Sequence, residues 1–341
     1  MKILFISFQF YPVKGGVPYV SEYLAKYLNK KNNEIILLTS AKLSKKQKEN
    51  YSYKIFCNPD KRKILELHDW ADIIFHNHIS LRLCSFKIKH IKKTVVTLQY
   101  WLAKRKIAQK AITKLKILFL KLCAQRIFIS KSIERHYLLK GKIIGNFYNE
   151  KIFYDNIPFN KRKKKIIFVG RATPEKGLDI LLKSIHQISY MFKKKEITVI
   201  GDGPNLKEYI NLSKKLKIYK YINFLGGIKN ENIGKYYNQH KIHVVPSLNE
   251  PFGIVALEGN ACGCVSIVAD YAGLGELDRN NYQFFKSKNY LELSKILKKN
   301  ILTGKPLKKN KRDLILSKNS LNNIGTKYIQ LFQEIIKKNN V

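Results

Sequence analysis

Short runs of β-branched and aromatic residues alternate with longer stretches of helical periodicity through most of the chain, as a parallel α/β sheet requires. Apolar runs at Lys2–Ser7, Glu34–Thr39, Ile73–His76, Thr94–Leu98, Arg126–Ile129 and Lys142–Gly145 predict a first series of strands. Helices such as Val17–Asn29 and Lys131–Leu138 lie between them. A second series is predicted at Ile166–Val169, Ile197–Ile200, Ile222–Leu225, Ile242–Val245 and Val265–Val268. Its helices fall near Gly177–Ser189, Pro204–Lys215, Ile233–Gln239, Ile254–Ala261 and Tyr290–Asn300, and a last helix runs from Leu321 to Lys338. The Pro- and Lys-rich stretch Asn156–Lys165 reads as the hinge between the two series. Two doubly wound halves predict facing Rossmann-like domains, with ligands at the carboxyl ends of the strands, in the cleft.

Composition narrows this picture. At 341 residues the chain exceeds ordinary single-domain size, and 45% hydrophobic residues can fill two cores. The cysteines (Cys57, Cys84, Cys123, Cys262, Cys264) are scattered, without metal or redox spacing, and read as buried thiols of a reducing compartment. The apolar start Met1–Phe8 has no small-residue cleavage site after it and is expected to be a first strand, not a signal peptide. No uninterrupted apolar stretch is long enough to span a bilayer, so the expectation is a cytoplasmic protein that can sit peripherally on the inner face of the membrane.

The net charge of +41 comes from 56 Lys against 9 Arg. It reads either as compositional bias on solvated faces or as attraction to an anionic surface. Sequence-specific nucleic-acid readers lean on Arg, and no nucleic-acid motif is visible, so a membrane is favoured and no nucleic-acid partner is expected. The segment Trp101–Ala124 bears on this choice. At helical spacing Lys106, Lys110, Lys114 and Lys121 share an arc of about 80°. Ala108, Ala111, Ile112, Leu115, Leu118, Phe119 and Leu122 occupy the other side. Such a basic amphipathic helix can lie on an anionic leaflet or pack its stripe on the sheet.

Candidate chemistry centres on Pro246-Ser-Leu-Asn-Glu-Pro-Phe-Gly-Ile-Val-Ala-Leu-Glu258. A strand enters a loop carrying Glu250, turns through Pro251, Phe252 and Gly253, and opens a helix through Ile254 and Val255 that holds Glu258. Strand, glycine turn and helix start aim unpaired N–H groups and the positive dipole end at a phosphate. The two carboxylates would repel phosphate and are better suited to accept hydrogen bonds from hydroxyls. Val169-Gly-Arg-Ala-Thr-Pro-Glu-Lys-Gly177 also follows a strand, with Gly170, the fork of Arg171 and the point charge of Lys176. Lys176 alone means little in so Lys-rich a chain, whereas Arg171 is one of nine Arg. Gly15-Gly16 lies between a strand and a helix but lacks the third glycine of a dinucleotide fingerprint. No Asp-x-Asp is present, and no metal site is expected.

These strings resemble retaining GT-B glycosyltransferases, in particular family 4, with E-x7-E at Glu250 and Glu258 and G-R-x-x-x-x-K-G at Gly170–Gly177. The resemblance is strong from Ile166 to Glu276 and looser before that. It implies an N-terminal acceptor-side domain (1–155), a nucleotide-sugar domain (156–315) and a C-terminal helix (316–341) crossing back onto the first. It implies metal-independent transfer from a nucleotide sugar, a co-substrate and not a resident cofactor, to a hydroxyl of a glycan or glycolipid acceptor. Glu250, Arg171 and Lys176 would then be catalytic. Gly15, Gly16, Gly170, Gly201, Gly203, Pro251–Val255 and Glu258 would hold the donor. His76, His78, Gln99, Gly273 and Glu276 are sugar or acceptor candidates by the same resemblance. Gln99 stands where the family often has His, and Gln cannot take a proton. Asn146–Asn149 resembles the family's N-G-x-D element and reads as structural. A glycoside phosphorylase or sugar-phosphate synthase on the same fold, and a non-enzymatic polyanion binder, are the competing readings. Sugar, base and acceptor stay open.

Overall fold

The computed structural model describes residues 1–13, 15–101, 107–306 and 308–339. The chain divides into two compact units, Met1–Phe147 with Leu321–Val341, and Tyr148–Ser320. Each is built on a wholly parallel sheet, and each is described by itself.

The first unit contains β1 (Lys2–Ser7), β2 (Glu34–Thr39), β3 (Lys54–Cys57), β4 (Ile73–Asn77), β5 (Thr94–Leu98), β6 (Gln125–Phe128) and β7 (Lys142–Ile143). They pair in the order β3-β2-β1-β4-β5-β6-β7. Its helices are α1 (Gly16–Lys30), α2 (Lys45–Glu49), α3 (Lys61–Trp70), α4 (Ile88–Ile91), α5 (Ile107–Leu122) and α6 (Lys131–Tyr137). The strand order reverses between β1 and β4, whose residues Ile3–Ile6 pair in register with Ile73–His76. β1, β4 and β5 are buried on both faces, which is why they read as continuous apolar runs.

In the second unit β8 (Lys164–Val169), β9 (Ile197–Ile200), β10 (Ile222–Phe224), β11 (His240–Val245), β12 (Val265–Asp270) and β13 (Gln283–Lys286) pair in the order β10-β9-β8-β11-β12-β13. Helices α7 (Leu178–Gln187), α8 (Leu206–Lys215), α9 (Ile233–Gln239), α10 (Ile254–Ala261), α11 (Tyr290–Thr303) and α12 (Lys309–Ser317) complete it. Here the order reverses between β8 and β11.

The sequence pattern anticipates the inner strands and misses both β3 and β13. Each is an edge strand of four residues with partly exposed positions, so its apolar signal is short and broken. The stretch 156–165 lies inside the second unit and is tied down by a buried charge cluster. Arg162 donates to Asp155 at 2.7 Å, to the Cys262 carbonyl at 2.7 Å and to the His240 carbonyl at 3.0 Å. Arg312 of α12 donates to the other oxygen of Asp155 at 2.8 Å.

The last helix, α13 (Leu321–Asn339), returns to the first unit as expected and packs on α1. A Cβ at Gly325 would stand 2.3 Å from the Tyr27 ring, so only glycine admits this approach. The Tyr27 hydroxyl reaches Asn322, and the Tyr328 hydroxyl meets that of Thr97 in β5 at 3.0 Å. Phe75, Tyr328 and Phe332 pack ring to ring beneath it.

Candidate active site

Strand ends at the point where a parallel sheet reverses its order are open on one side, and loops leaving them diverge to make room for a ligand. In the second unit these are the ends of β8 and β11, and the two conspicuous motifs leave from them. After β8, Gly170 and Arg171 lead into a short turn, Pro174–Lys176. After β11 the chain runs through Pro246–Glu250 to Gly253, which caps α10 with φ 96°.

Close backbone approaches lock the loops together. The Leu248 amide donates to the Glu175 carbonyl at 2.8 Å. A Cβ at Gly201 would fall 1.7 Å from the Gly170 carbonyl oxygen, which fixes glycine there. Gly203 approaches Ala172 in the same way, and Ala172 donates to the Asp202 carbonyl. The Gly273 amide donates to the Glu250 carbonyl at 3.0 Å, bringing the loop after β12 against Pro251. Gly170, Lys176, Gly201, Gly203, Glu250, Pro251 and Gly273 are thus gathered in one region.

Within it the Lys176 ammonium donates to a carboxylate oxygen of Glu250 at 2.5 Å, both side chains being mostly buried. Arg171 is exposed and makes no ion pair among the described residues. At α10 the first intrahelical bond runs from the Ala256 amide to the Gly253 carbonyl, so the amides of Gly253, Ile254 and Val255 precede the ladder. No acidic residue occupies that first turn. A free guanidinium, an ammonium and a helix N-terminus make this region strongly attractive to an anion.

Glu258 is placed differently from Glu250. It is 4% exposed, on the inner side of α10, beside the buried Tyr237, whose hydroxyl donates to the Val255 carbonyl at 3.5 Å. Burial pushes its carboxyl up to about 8, and the neighbouring Tyr237 hydroxyl opposes this only in part. Tyr237 in turn meets the edge of His243, whose ring nitrogens have no partner and whose pKa burial lowers to about 3. Sequence reasoning missed Tyr237, which carries no motif. Glu276 is exposed on the turn after Gly273.

The first unit gathers a different set at the ends of β1, β4 and β5. The Gln99 side chain donates to the Asn77 side-chain oxygen Oδ1 at 2.7 Å and accepts from the Asn146 side chain at 2.8 Å. Asn77 donates to the Ser21 hydroxyl at 2.6 Å, and Ser21 meets Ser7 at 2.7 Å. His78 joins them, its Nδ1 accepting the Gln99 backbone N–H at 3.3 Å. His76 does not. Its side chain is fully buried in the core against the Phe119 ring, both nitrogens are unpartnered, and burial depresses its pKa to about 3. Gly15 and Gly16 are exposed at the start of α1.

Among the described residues no group of three or more His, Cys, Asp or Glu could hold a metal ion. No described helix is long and apolar enough to cross a membrane. In α5, Lys106 and the side chains of Ala108 and Lys110 lie outside the described residues. Among the described residues of the predicted stripe only Phe119 is buried, whereas Ile112 (52%), Leu115 (43%), Leu118 (49%) and Leu122 (52%) face solvent.

A model of the family Glycosyl transferases group 1 matches residues 150–315. An uncharacterized glycosyltransferase of Methanocaldococcus jannaschii is 32% identical over 155 residues, covering 46% of this chain and 41% of the relative. The chain thus spans under half the length of that relative. Among solved structures, a glycosyltransferase from Rickettsia africae aligns over 98% of both chains with TM-score 0.79 and 18% identity. Anabaena HepE in complex with UDP-glucose aligns over 98% of this chain and 100% of its own, with TM-score 0.76 and 17% identity. The fold these structures share with the chain is GT-B.

Proposed function

We propose, from the premise that residues 150–315 are a glycosyl transferases group 1 domain, that the chain is a retaining glycosyltransferase. It moves a sugar from a nucleoside-diphosphate sugar to a hydroxyl of a glycan or glycolipid acceptor. The observation carrying this reading is the convergence of Arg171, Lys176 paired with Glu250, and the α10 N-terminus at the ends of β8 and β11. A diphosphate needs cations and N–H donors, and a sugar needs carboxylates; both are within this one set.

The chemistry follows from charge. As the bond between the anomeric carbon and the phosphate oxygen breaks, negative charge grows on the leaving diphosphate. Arg171, Lys176 and the amides of Gly253–Val255 stabilise it there without a metal ion. The acceptor hydroxyl oxygen bonds to the anomeric carbon on the same face, and its proton passes to the leaving phosphate oxygen. Glu250 orients the sugar through its hydroxyls, and Glu258 accepts from the ribose. Gly170, Gly201 and Gly203 let the backbone come close to the donor, and Gly273 and Glu276 face the sugar.

A melting-point screen with UDP-, GDP- and ADP-sugars tests the donor class, since a ligand that binds only the native state raises the transition. One of the three is expected to raise it, and Lys176→Ala or Glu250→Ala to lower transfer by about a hundredfold or more with the fold intact. Full transfer in either variant would remove the assignment.

The exposed apolar stripe of α5, flanked by Lys114 and Lys121, further supports peripheral contact with an anionic bilayer, where a lipid-linked acceptor would be met. Sedimentation with phosphatidylglycerol vesicles should fall on Leu115→Asp with Leu118→Asp. Equal sedimentation of that variant would exclude α5 as the contact.

A further inference from the structure

Among the groups not used above, the neutral side chains at the ends of β1, β4 and β5 form the most complete construction in the first unit. Hydrogen bonding there has one direction. The Asn146 amide donates to Gln99, Gln99 to Asn77, and Asn77 to the Ser21 hydroxyl, which can donate on to the Val17 carbonyl at 2.9 Å. All four side chains are buried, and none is charged. The amides on either side of position 99 demand one donor and one acceptor, and a Gln side chain supplies both at every pH.

His78 sits at the edge of this relay in a conformation uncommon for a residue other than glycine, with φ 71°. Such a backbone persists only where its surroundings over-determine it. The flanking Asn77 and Gln99 are held by the relay, the His78 amide donates to the Thr97 carbonyl at 2.8 Å, and the ring stacks on Tyr100 with centroids 3.7 Å apart. A backbone N–H can only donate, so the Gln99 amide at 3.3 Å requires an unprotonated Nδ1. The ring proton therefore belongs on Nε2.

We propose that Gln99 is a positioning residue, and that the Asn146–Gln99–Asn77 relay fixes His78 as a neutral Nε2–H donor for an uncharged oxygen of the acceptor. The ligand class follows from the chemistry: a neutral imidazole cannot offset a phosphate charge, but it can donate to a hydroxyl or ring oxygen. Burial and the nearby Lys116 both disfavour the imidazolium, in keeping with this tautomer. The ligand part rests on the glycosyltransferase reading above; the tautomer part does not.

Long-range proton–nitrogen NMR on the full chain with nitrogen-15 histidine tests it, the His78 signals being identified by their loss in His78→Gln. The wild type is expected to show the Nε2–H form from pH 5 to 8; an Nδ1–H form, or titration in that range, would overturn the proposal. Gln99→Leu should release the lock, giving mixed tautomers or a titrating ring, and an unchanged His78 would overturn the role of Gln99. With the sugar nucleotide identified by melting shift, His78→Phe should keep that shift and lose at least tenfold in transfer, while His78→Gln retains more. Transfer at the wild-type rate in His78→Phe would overturn the donor role. A wild type with the expected tautomer but no shift with any sugar nucleotide would sink the donor-site reading, not the relay.

Discussion

The two sheets reverse their strand order in the same way, yet the side chains at the two reversal points have opposite character. At the ends of β8 and β11 stand the charged Arg171, Lys176 and Glu250, with the buried Glu258 holding its proton on the adjoining helix. At the ends of β1, β4 and β5 stand Ser7, Ser21, Asn77, His78, Gln99 and Asn146, with no charge among the six. One backbone geometry thus serves two chemistries. The charged set suits a diphosphate, whose own charge it offsets; the neutral set suits hydroxyls, for which a fixed pattern of donors and acceptors is enough.

Breaking the charged set should have the largest effect. Lys176→Ala is expected to lower transfer by about 10²–10³-fold, as removal of one donor to a developing anion does elsewhere. Steady-state rates at saturating sugar nucleotide check this. Charge in the second unit is structural as well as reactive. Asp155→Ala would leave the guanidinium groups of Arg162 and Arg312 buried without their carboxylate, and should destabilise the fold by about 3–5 kcal/mol in urea unfolding. A loss below about 1 kcal/mol would show the cluster is solvated in solution.

The neutral set is expected to be softer. Gln99→Leu removes the donor to the buried Asn77 oxygen and should cost about 1–3 kcal/mol. Its effect on the melting shift given by a sugar nucleotide should be small; a large one would erase the contrast between the two sets.

Glu258 offers a finer probe, through pH. Its folded carboxyl is raised from 4.5 to about 8, so the native state holds a proton that the unfolded chain gives up. The stability this contributes is complete below pH 4.5 and is lost as pH rises toward 8. The melting-point difference between wild type and Glu258→Gln should therefore drift against the wild type across that window. A constant difference would mean the carboxyl is ionised in the fold.

The fold was largely legible because strands buried on both faces leave continuous apolar runs, as in Ile73–Phe75 and Ile197–Ile200. Edge strands β3 and β13 leave no such trace. The charged set was legible too, because glycines and strand ends mark where cations and amides can meet a ligand. The neutral set was not. Positions 76 and 78 share a face in a strand, but the chain leaves β4 at Asn77 and His78 takes positive φ, so one His enters the core and the other the relay. Asn77, the middle residue of that His-Asn-His string, was the available signal. Periodicity along α5 gave the same stripe whether it faced the sheet or solvent; only the exposure of Leu115 and Leu118 separates the two.

Hydrogen exchange read by mass spectrometry, with and without the sugar nucleotide that raises the melting point, tests most directly whether the ends of β8 and β11 hold the donor. The account predicts new protection in peptides covering Gly170–Gly177 and Glu250–Glu258, and its loss in Lys176→Ala. Protection confined to other segments, with both of these unchanged, would contradict it.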